Sequence, residues 1–490
     1  MSMKSAKSTK VLILTIGNGI NVLINFLTLP YLVRSLSFND YGSYGQVLMI
    51  ISLLQGIFTF NLNQISNVYL AQEQYKPSLV FSTLMRITVL MSLLGTIIML
   101  ISIPFIGNAF DNDAITKLLL LSLFNLLGQI PVPILISVLI YFGKVQHTTT
   151  ILIVTNILKI GVMFFTIHFL GSVVYLMVGL SIVSIIQPLL LFFSIPKDIR
   201  RLNLFDKLLA RKFFSMATPL AISSLIEKSL VYVDGVMIST LLTTTAYAFY
   251  RAGAVEVPFI ATLYGAVTAI VMPEIAKLYT DKKFPEIVKL KRTAISGTVF
   301  FVYPVLIYLL FFASPLVSLY LSEKYSQSAI IFSIFNLSLL IRINDYQDII
   351  IISGNSRFIF KSVLFVSVMN LLLNFFFIKW IGITGSAIAF IFSLLSFAGL
   401  LTWKSTKVMH CKFTDLFNVP LILKVTILSF ILAGVVYLIN HFIFNEILFI
   451  IVSAPIYFLL VFLLGLKFGL LPPALVEQLN TRLKKYKIKI

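Results

Sequence analysis

Six cations stand inside apolar stretches of this chain: Arg86, Lys159, Lys228, Arg251, Arg342 and Lys424. A charge at the centre of a bilayer costs at least ~2.5–3.5 kcal/mol, so such a residue faces a cavity or a partner, or snorkels from a boundary. Lys424 and Arg86 are near enough to one boundary to snorkel. Lys159 is mid-span with no acid near it in sequence. Lys228, Arg251 and Arg342 have acids close by: Glu227 and Asp234, Glu256, and Asp345 with Asp348. Two chemistries fit these groups. They form fixed ion pairs, or they bias a water-filled cavity positive so that it holds an anion.

Amides accompany the charges. Asn18, Asn21 and Asn25 fall within about 60° of one another on a helix. Such a stripe bonds another helix or lines a hydrated path. Gly17 and Gly19 beside it allow close helix approach or local bending. Glu227 and Asp234, seven residues apart, share a face. Asn336, Asn344 and Gln347 form a second amide stripe about 80° wide, and Arg342, Asp345 and Asp348 a stripe on another face. A helix polar on two faces must be surrounded by protein or border water. Pro131, Pro133 and Pro188 interrupt spans, where they free carbonyls and favour bends.

Bond-making chemistry has no constellation to support it. His147, His168, His410 and His441 are scattered, and His410 and Cys411 are adjacent. There is no phosphate-binding loop for ATP. No acidic pair sits in a sizeable loop, as a lipid-dependent glycosyltransferase or polymerase would need. One cysteine excludes a disulfide within the chain and a multi-thiolate metal site.

The elements that must position these groups are membrane spans. Apolar residues make up 59%, mean hydropathy is +1.01, and charged residues are 11%, against about 25% in soluble proteins. With roughly 20 apolar residues per spanning helix, the spans fall near 11–35, 42–66, 79–106, 115–142, 149–170, 172–194, 215–241, 246–272, 293–320, 327–352, 362–380, 384–403, 419–440 and 446–466. The first follows Lys4, Lys7 and Lys10 but is too long for a signal-peptide core, which predicts a retained helix. With the N-terminus inside, about 28 Lys and Arg residues fall in inside segments against 4 outside (Arg34, Lys117, Lys324 and Lys379). Both termini are then cytoplasmic. A net charge of +20 therefore marks topology rather than nucleic-acid binding. The closing TRLKKYKIKI suits an anionic inner leaflet or a simple topological anchor.

The long inside connection at 195–214 separates six spans from six more. LSFNDYGSY places Leu36, Tyr41 and Tyr44 at the head of the second span. LTTTAYAFY places Leu242, Tyr247 and Tyr250 at the head of the eighth. The matched spacing suggests a parallel repeat, one building plan of secondary transporters. The predicted fold is an all-α polytopic membrane protein of about 14 transmembrane helices. It comprises two six-helix lobes, 1–200 and 201–405, with two further spans and a basic tail over 406–490.

Three segments carry a family resemblance: LPYLVRSLSFNDYGSYG with Pro30, Arg34, Leu36, Tyr41 and Gly42; VYVDGVMIS with Asp234; and MNLLLNFFFIKWIGITGSAIA with Asn370, Asn374, Gly382, Gly385 and Ala387. Their order and spacing over about the first 400 residues resemble the polysaccharide-flippase (Wzx-like) branch of the multidrug/oligosaccharidyl-lipid/polysaccharide (MOP) exporter superfamily, whose lobes surround a central cavity. The repeat has diverged at its polar positions: Gly45 of the first half is Arg251 in the second.

The resemblance implies a non-enzymatic flippase of the bacterial cytoplasmic (inner) membrane. It would move an oligosaccharide on undecaprenyl pyrophosphate to the outer leaflet by alternating access, for cell-surface polysaccharide assembly. Polysaccharide polymerase and chain-length machinery are the implied partners. Arg34, Lys228, Arg251 and Arg342 are candidates for the anionic head, and Asn18, Asn21, Asn25, Asn336 and Asn344 for sugar hydroxyls. Glu227, Asp234, Glu256, Asp345 and Asp348 are candidates for a coupling proton or sodium ion, with no other cofactor or metal implied. The competing expectations are a lipid II flippase, a multidrug antiporter of the same superfamily, and a membrane glycosyltransferase or polymerase.

Overall fold

In hydrocarbon each backbone N–H and C=O must be satisfied within its own segment, which leaves apolar stretches like these the α-helix. A computed structural model describes residues 23–24, 26–200, 205–255, 257–440 and 446–471, with the backbone alone at 223, 225–231, 258–259, 261–262, 266, 269–270, 440 and 446–448. The described residues are helical, with no strand among them. In chain order the helices are α1 (26–35), α2 (Phe38–Phe58), α3 (Leu62–Ala71), α4 (Pro77–Ala109), α5 (Asp113–Leu121), α6 (Leu123–Gln129), α7 (Val132–Tyr141), α8 (Val145–Leu170), α9 (Val173–Ser194), α10 (Lys207–Leu241) and α11 (Thr244–Gly253). Then come α12 (Pro258–Thr280), α13 (Phe284–Phe311), α14 (Ala313–Tyr320), α15 (Ser328–Asn336), α16 (Asp348–Ile352), α17 (Ser356–Ile381), α18 (Ile383–Met409), α19 (Phe413–Leu416), α20 (Val419–Asn440) and α21 (Glu446–Lys467). Among the described residues, ten helical stretches are long and apolar enough to cross a bilayer. The chain is a multi-pass membrane protein.

Two compact units divide the chain, Met1–Arg251 and Ala252–Ile490. The first is centred on Leu62, Ile65, Phe81, Leu84, Ile134, Leu135 and Phe213, where α3, α4, α7 and α10 meet. The second is built on α13, whose Ile287, Val299, Phe300 and Leu306 pack with Val425 of α20 and Tyr457 of α21. Phe105 on α4 and Trp380 on α17 are 70% and 79% exposed. Side chains this apolar, left outside the core, suit contact with lipid.

Turn chemistry explains where helices stop. The division near residue 171 falls at Gly171, which ends α8 with φ +56° and so adopts the left-handed conformation glycine tolerates. Besides the 293–320 span, which divides at Phe312 between α13 and α14, four spans expected to be single helices are broken. Phe60 and Asn61 take φ of 49° and 52° between α2 and α3. The Asn61 amide holds that bend by donating to the Leu220 carbonyl at 2.8 Å and to Ser224 Oγ at 2.7 Å. The 115–142 span divides at Ser122 and at Ile130–Pro131. The 246–272 span breaks after Gly253, because the residues before Pro258 are disfavoured in a helix.

The fourth break overturns the continuous helix expected over 327–352. Helix α15 stops at Asn336, a 3₁₀ turn covers Leu337–Leu340, and the chain runs without helix to α16 at Asp348. Local hydrogen bonds stabilise this path. Asp345 Oδ1 accepts from the Gln347 N–H at 3.0 Å, Asp348 Oδ1 from the Ile349 N–H at 2.6 Å, and Tyr346 Oη donates to the Ile341 carbonyl at 2.7 Å. Aspartates bonding nearby backbone compete with the helix ladder, so the two polar stripes are not carried on one continuous helix.

Candidate functional site

In the first unit the prolines make polar groups available. Pro133 has no N–H for the Gln129 carbonyl four residues earlier, and Gln55 Nε2 donates to that carbonyl at 3.2 Å. Gln129 Nε2 donates to Ser184 Oγ at 3.1 Å and Gln187 Oε1 at 3.4 Å. Lys159 Nζ donates to the same Gln187 Oε1 at 3.3 Å. Around these groups lies a cavity of about 240 Å³, lined by Tyr44, Ser52, Gln55, Asn125, Gln129, Asn156, Lys159 and Ser184 with Ile24, Thr28 and apolar side chains of α2, α8 and α9. Among the described residues the lining contains amides, hydroxyls and one ammonium, and no carboxylate.

The heads of α2 and α11 pack together. Phe38 and Phe249 have ring centroids 4.8 Å apart. Thr245 Oγ1 donates to Asn39 Oδ1 at 2.8 Å. A Cβ at Gly42 would overlap the Thr244 carbonyl. Arg251 closes this contact: Nη1 donates to the Gly45 carbonyl at 2.9 Å, with the Tyr41 and Tyr44 rings each 5.8 Å from its Cζ. A Cβ at Gly45 would stand 2.6 Å from Arg251 Cδ. Buried Asp234 accepts from Tyr250 Oη at 2.9 Å.

The second unit builds its polar region on the broken helix. Arg342, Asn344, Asp345 and Gln347 line a cavity of about 220 Å³ with Tyr264 and Phe397. An adjoining recess is lined by Tyr264, Thr268, Lys291, Thr298, Asn344, Asp345 and Asp348. Lys291 Nζ makes an ion pair with Asp348 Oδ2 at 2.5 Å and donates to the Asp345 carbonyl at 3.0 Å. Both side chains of the pair are buried, at 3% and 4% exposed. Asn336 Nδ2 donates to the Phe332 carbonyl at 2.8 Å and, across the other break, to the Val255 carbonyl at 3.3 Å.

The expected site residues therefore have different placements. Arg342, Asn344 and Asp345 come together around one cavity and Asp348 lies in the recess beside it. Asn336 bonds backbone, Arg251 bonds Gly45 and its tyrosines, and Arg34 is exposed at the end of α1. Asn18, Asn21, Asn25 and Glu256, and the side chains of Glu227 and Lys228, lie outside the described residues.

Two features were not anticipated. Lys291 belongs to the basic run KLKR, which reads as cytoplasmic loop charge, yet it sits two turns into α13. Its helical spacing with buried Ile287 and Ile295 is the signal that places it on the inward face. The cavity glutamines Gln55, Gln129 and Gln187 are isolated polar residues in apolar runs, and that isolation was the available signal. The motif residues Asn370 and Asn374 join two helices. Asn370 Nδ2 donates to Ser393 Oγ at 3.0 Å, and Ser386 Oγ donates to Asn374 Oδ1 at 2.6 Å, tying α17 to α18.

Comparison with known proteins agrees with this architecture. Residues 8–279, more than half of the chain, match the family described as polysaccharide biosynthesis protein. The chain is 22% identical over 386 residues to the capsular polysaccharide biosynthesis protein CapF of Staphylococcus aureus, covering 76% of this chain and 92% of that one. Its structure is similar to the lipid II flippase MurJ in an inward closed conformation, with a TM-score of 0.75, 20% identity and coverage of 94% and 98% of the two chains. It is also similar to an inward-facing multidrug resistance MATE family transporter of the MOP superfamily, with a TM-score of 0.63, 14% identity and coverage of 82% and 98%. The chain belongs to the polysaccharide biosynthesis protein family and has the fold of the MOP-superfamily transporters.

Proposed function

We propose that this protein flips an oligosaccharide carried on undecaprenyl pyrophosphate from the inner to the outer leaflet of the bacterial cytoplasmic membrane, with both termini cytoplasmic. The observation that carries this reading is the first unit's cavity. Gln55, Asn125, Gln129 and Asn156 surround it at membrane depth, and amides are donors and acceptors in the mixture that sugar hydroxyls require. A polyprenyl tail stays in lipid while the polar head crosses. Arg342 and Lys228 are candidates to attract the pyrophosphate, together with Arg34 where the head leaves or enters, whereas Arg251 is held by the Gly45 carbonyl and its tyrosines. Asn18, Asn21, Asn25, Asn336 and Asn344 are candidates for the sugars.

The helix breaks after Gly253 and at 341–347 support alternating access, because unwound segments let a span bend and line a cavity. Glu227, Asp234, Glu256, Asp345 and Asp348 are candidates for coupling to a proton or sodium ion. A polymerase and chain-length machinery that consume the exported unit are candidate partners. The relationship to a capsular polysaccharide biosynthesis protein supports the polymer-assembly setting. A multidrug antiporter would be expected to line its pocket with acids. The lysine-and-amide cavity favours a sugar-bearing cargo instead.

Deleting the gene should cause lipid-linked repeat units to accumulate on the inner leaflet, as measured by leaflet-selective enzymatic labelling of the sugar. Loss of the lipid-linked precursor itself would instead indicate an enzyme that makes it. Accumulation of lipid II alone would redirect the substrate to the peptidoglycan precursor.

A further inference from the structure

Lys159 poses a problem of charge. It stands in the middle of α8 (Val145–Leu170), 11 residues or roughly 16 Å of helix from the nearer end, taking 1.5 Å per residue. It is too deep to reach either surface by extending its stem. Among the described residues its ammonium donates one hydrogen bond, to a neutral amide oxygen, Gln187 Oε1. Among the described residues no carboxylate forms an ion pair with it. The elements packed around it offer Tyr44, Ser52 and Gln55 from α2, Asn125 and Gln129 from α6, Asn156 from α8 itself and Ser184 from α9. None of these is an acid.

An ammonium at this depth calls for a counter-charge, and the cavity beside it has room for one. Its volume of about 240 Å³ compares with ~30 Å³ for a single water in the liquid. We infer that the Lys159 cavity is a binding site for a monoanion, either a small inorganic ion or a carboxylate borne on a sugar.

The chemistry favours one negative charge over a diphosphate. Diphosphate recognition draws on several cations or the fork of an arginine, and among the described residues this lining has a single lysine. Arg251, which packs on Tyr44 of the lining, is engaged by the Gly45 carbonyl and the Tyr41 and Tyr44 rings. A carboxylate would accept from Lys159, and the surrounding amides would bond the hydroxyls of its ring. The site deepens the proposed function by naming the charge one subsite takes. It rests on that reading only where the carboxylate is carried by a sugar.

Thermal unfolding of the full-length protein in nanodiscs tests the site without any transport assay. Chloride, glucuronate and uncharged glucose are titrated separately into a sulfate-buffered sample at constant ionic strength. Ligand binding to the folded state should raise the wild-type Tm by several degrees in a saturable way. Lys159→Met should abolish the rise and Lys159→Arg should retain it, with Lys159→Gln as a second neutral variant. A response to glucuronate but not glucose identifies a sugar-borne carboxylate as the occupant. A response to chloride alone identifies a free inorganic anion. If neither anion raises the wild-type Tm beyond that of Lys159→Met and Lys159→Gln, no anion site exists there. Because the readout is binding, the inference can fail while precursor accumulation still supports flipping, and the reverse holds equally.

Discussion

Each unit turns a lysine inward, Lys159 half-buried and Lys291 buried, and the two solve the resulting charge in opposite ways. In the second unit Lys291 is neutralised by the chain itself, through Asp348 and the Asp345 carbonyl of the broken helix. In the first, among the described residues, Lys159 meets the Gln187 amide and a cavity. The difference separates a charge that holds the fold together from one that is available to a ligand. A buried ion pair contributes little net stability over apolar residues of the same volume, but leaving one member alone is costly. Lys291 should therefore reveal itself by what happens when its partner is removed, and Lys159 by what stops binding.

The largest expected effect tests the first half of that contrast. Lys291→Ala or Asp348→Asn should each destabilise the protein by about 3–5 kcal/mol, measured as chemical or thermal unfolding in detergent. The double substitution Lys291→Met with Asp348→Leu should recover most of that loss. If the single and double variants were equally unstable, the pair would not be acting as a unit.

The second half predicts loss of function with little loss of stability. Lys159→Met should reduce flipping at least ~10-fold, equivalent to ~1.4 kcal/mol of binding, while its Tm stays near or above that of the wild type. Complementation of a deletion strain together with an unfolding curve checks both parts. A variant that flips normally would place Lys159 with the structural lysine instead.

Arg251 lies between these cases, since it is engaged by neutral groups yet borders Tyr44 of the cavity. Its replacement by alanine should cost about 1.5–3 kcal/mol, the range for hydrogen bonds to charged groups, and Arg251→Lys should recover only part of this because the planar fork is lost. The smallest effect is expected at the polar contact between α17 and α18. Asn374→Ala should cost ~0.6 kcal/mol, the average for interhelical hydrogen bonds in a membrane. A loss of transport exceeding that cost would move Asn374 from the helix contact into the site.

The sequence made the membrane fold legible because hydropathy reports the solvent directly. Gly171 marked a helix end, and the matched spacing of Tyr41 and Tyr44 with Tyr247 and Tyr250 drew attention to two segments that pack against each other. What stayed hidden was long-range. The partner of Lys291 lies 57 residues away, and the basic run around it mimics a loop. The helical stripe containing Arg342, Asp345 and Asp348 assumed a continuous ladder, whereas Asp345 and Asp348 bond the local backbone and interrupt it. Asn370 and Asn374 were visible as a motif, but only the neighbouring helix shows them to be fasteners. The cavity glutamines gained meaning once Pro133 left a carbonyl for Gln55 to fill.

The nesting of Arg251 over Gly45 constrains how the two positions can vary. The glycine supplies both a carbonyl and the vacancy that the arginine stem occupies. A methyl group at 45 would evict the guanidinium, while a short residue at 251 would leave a void above the glycine. A tolerated change at one position should therefore require a compensating change in size at the other. Paired substitutions, Gly45→Ala with a smaller side chain at 251, offer a way to rebuild the seam without its charge.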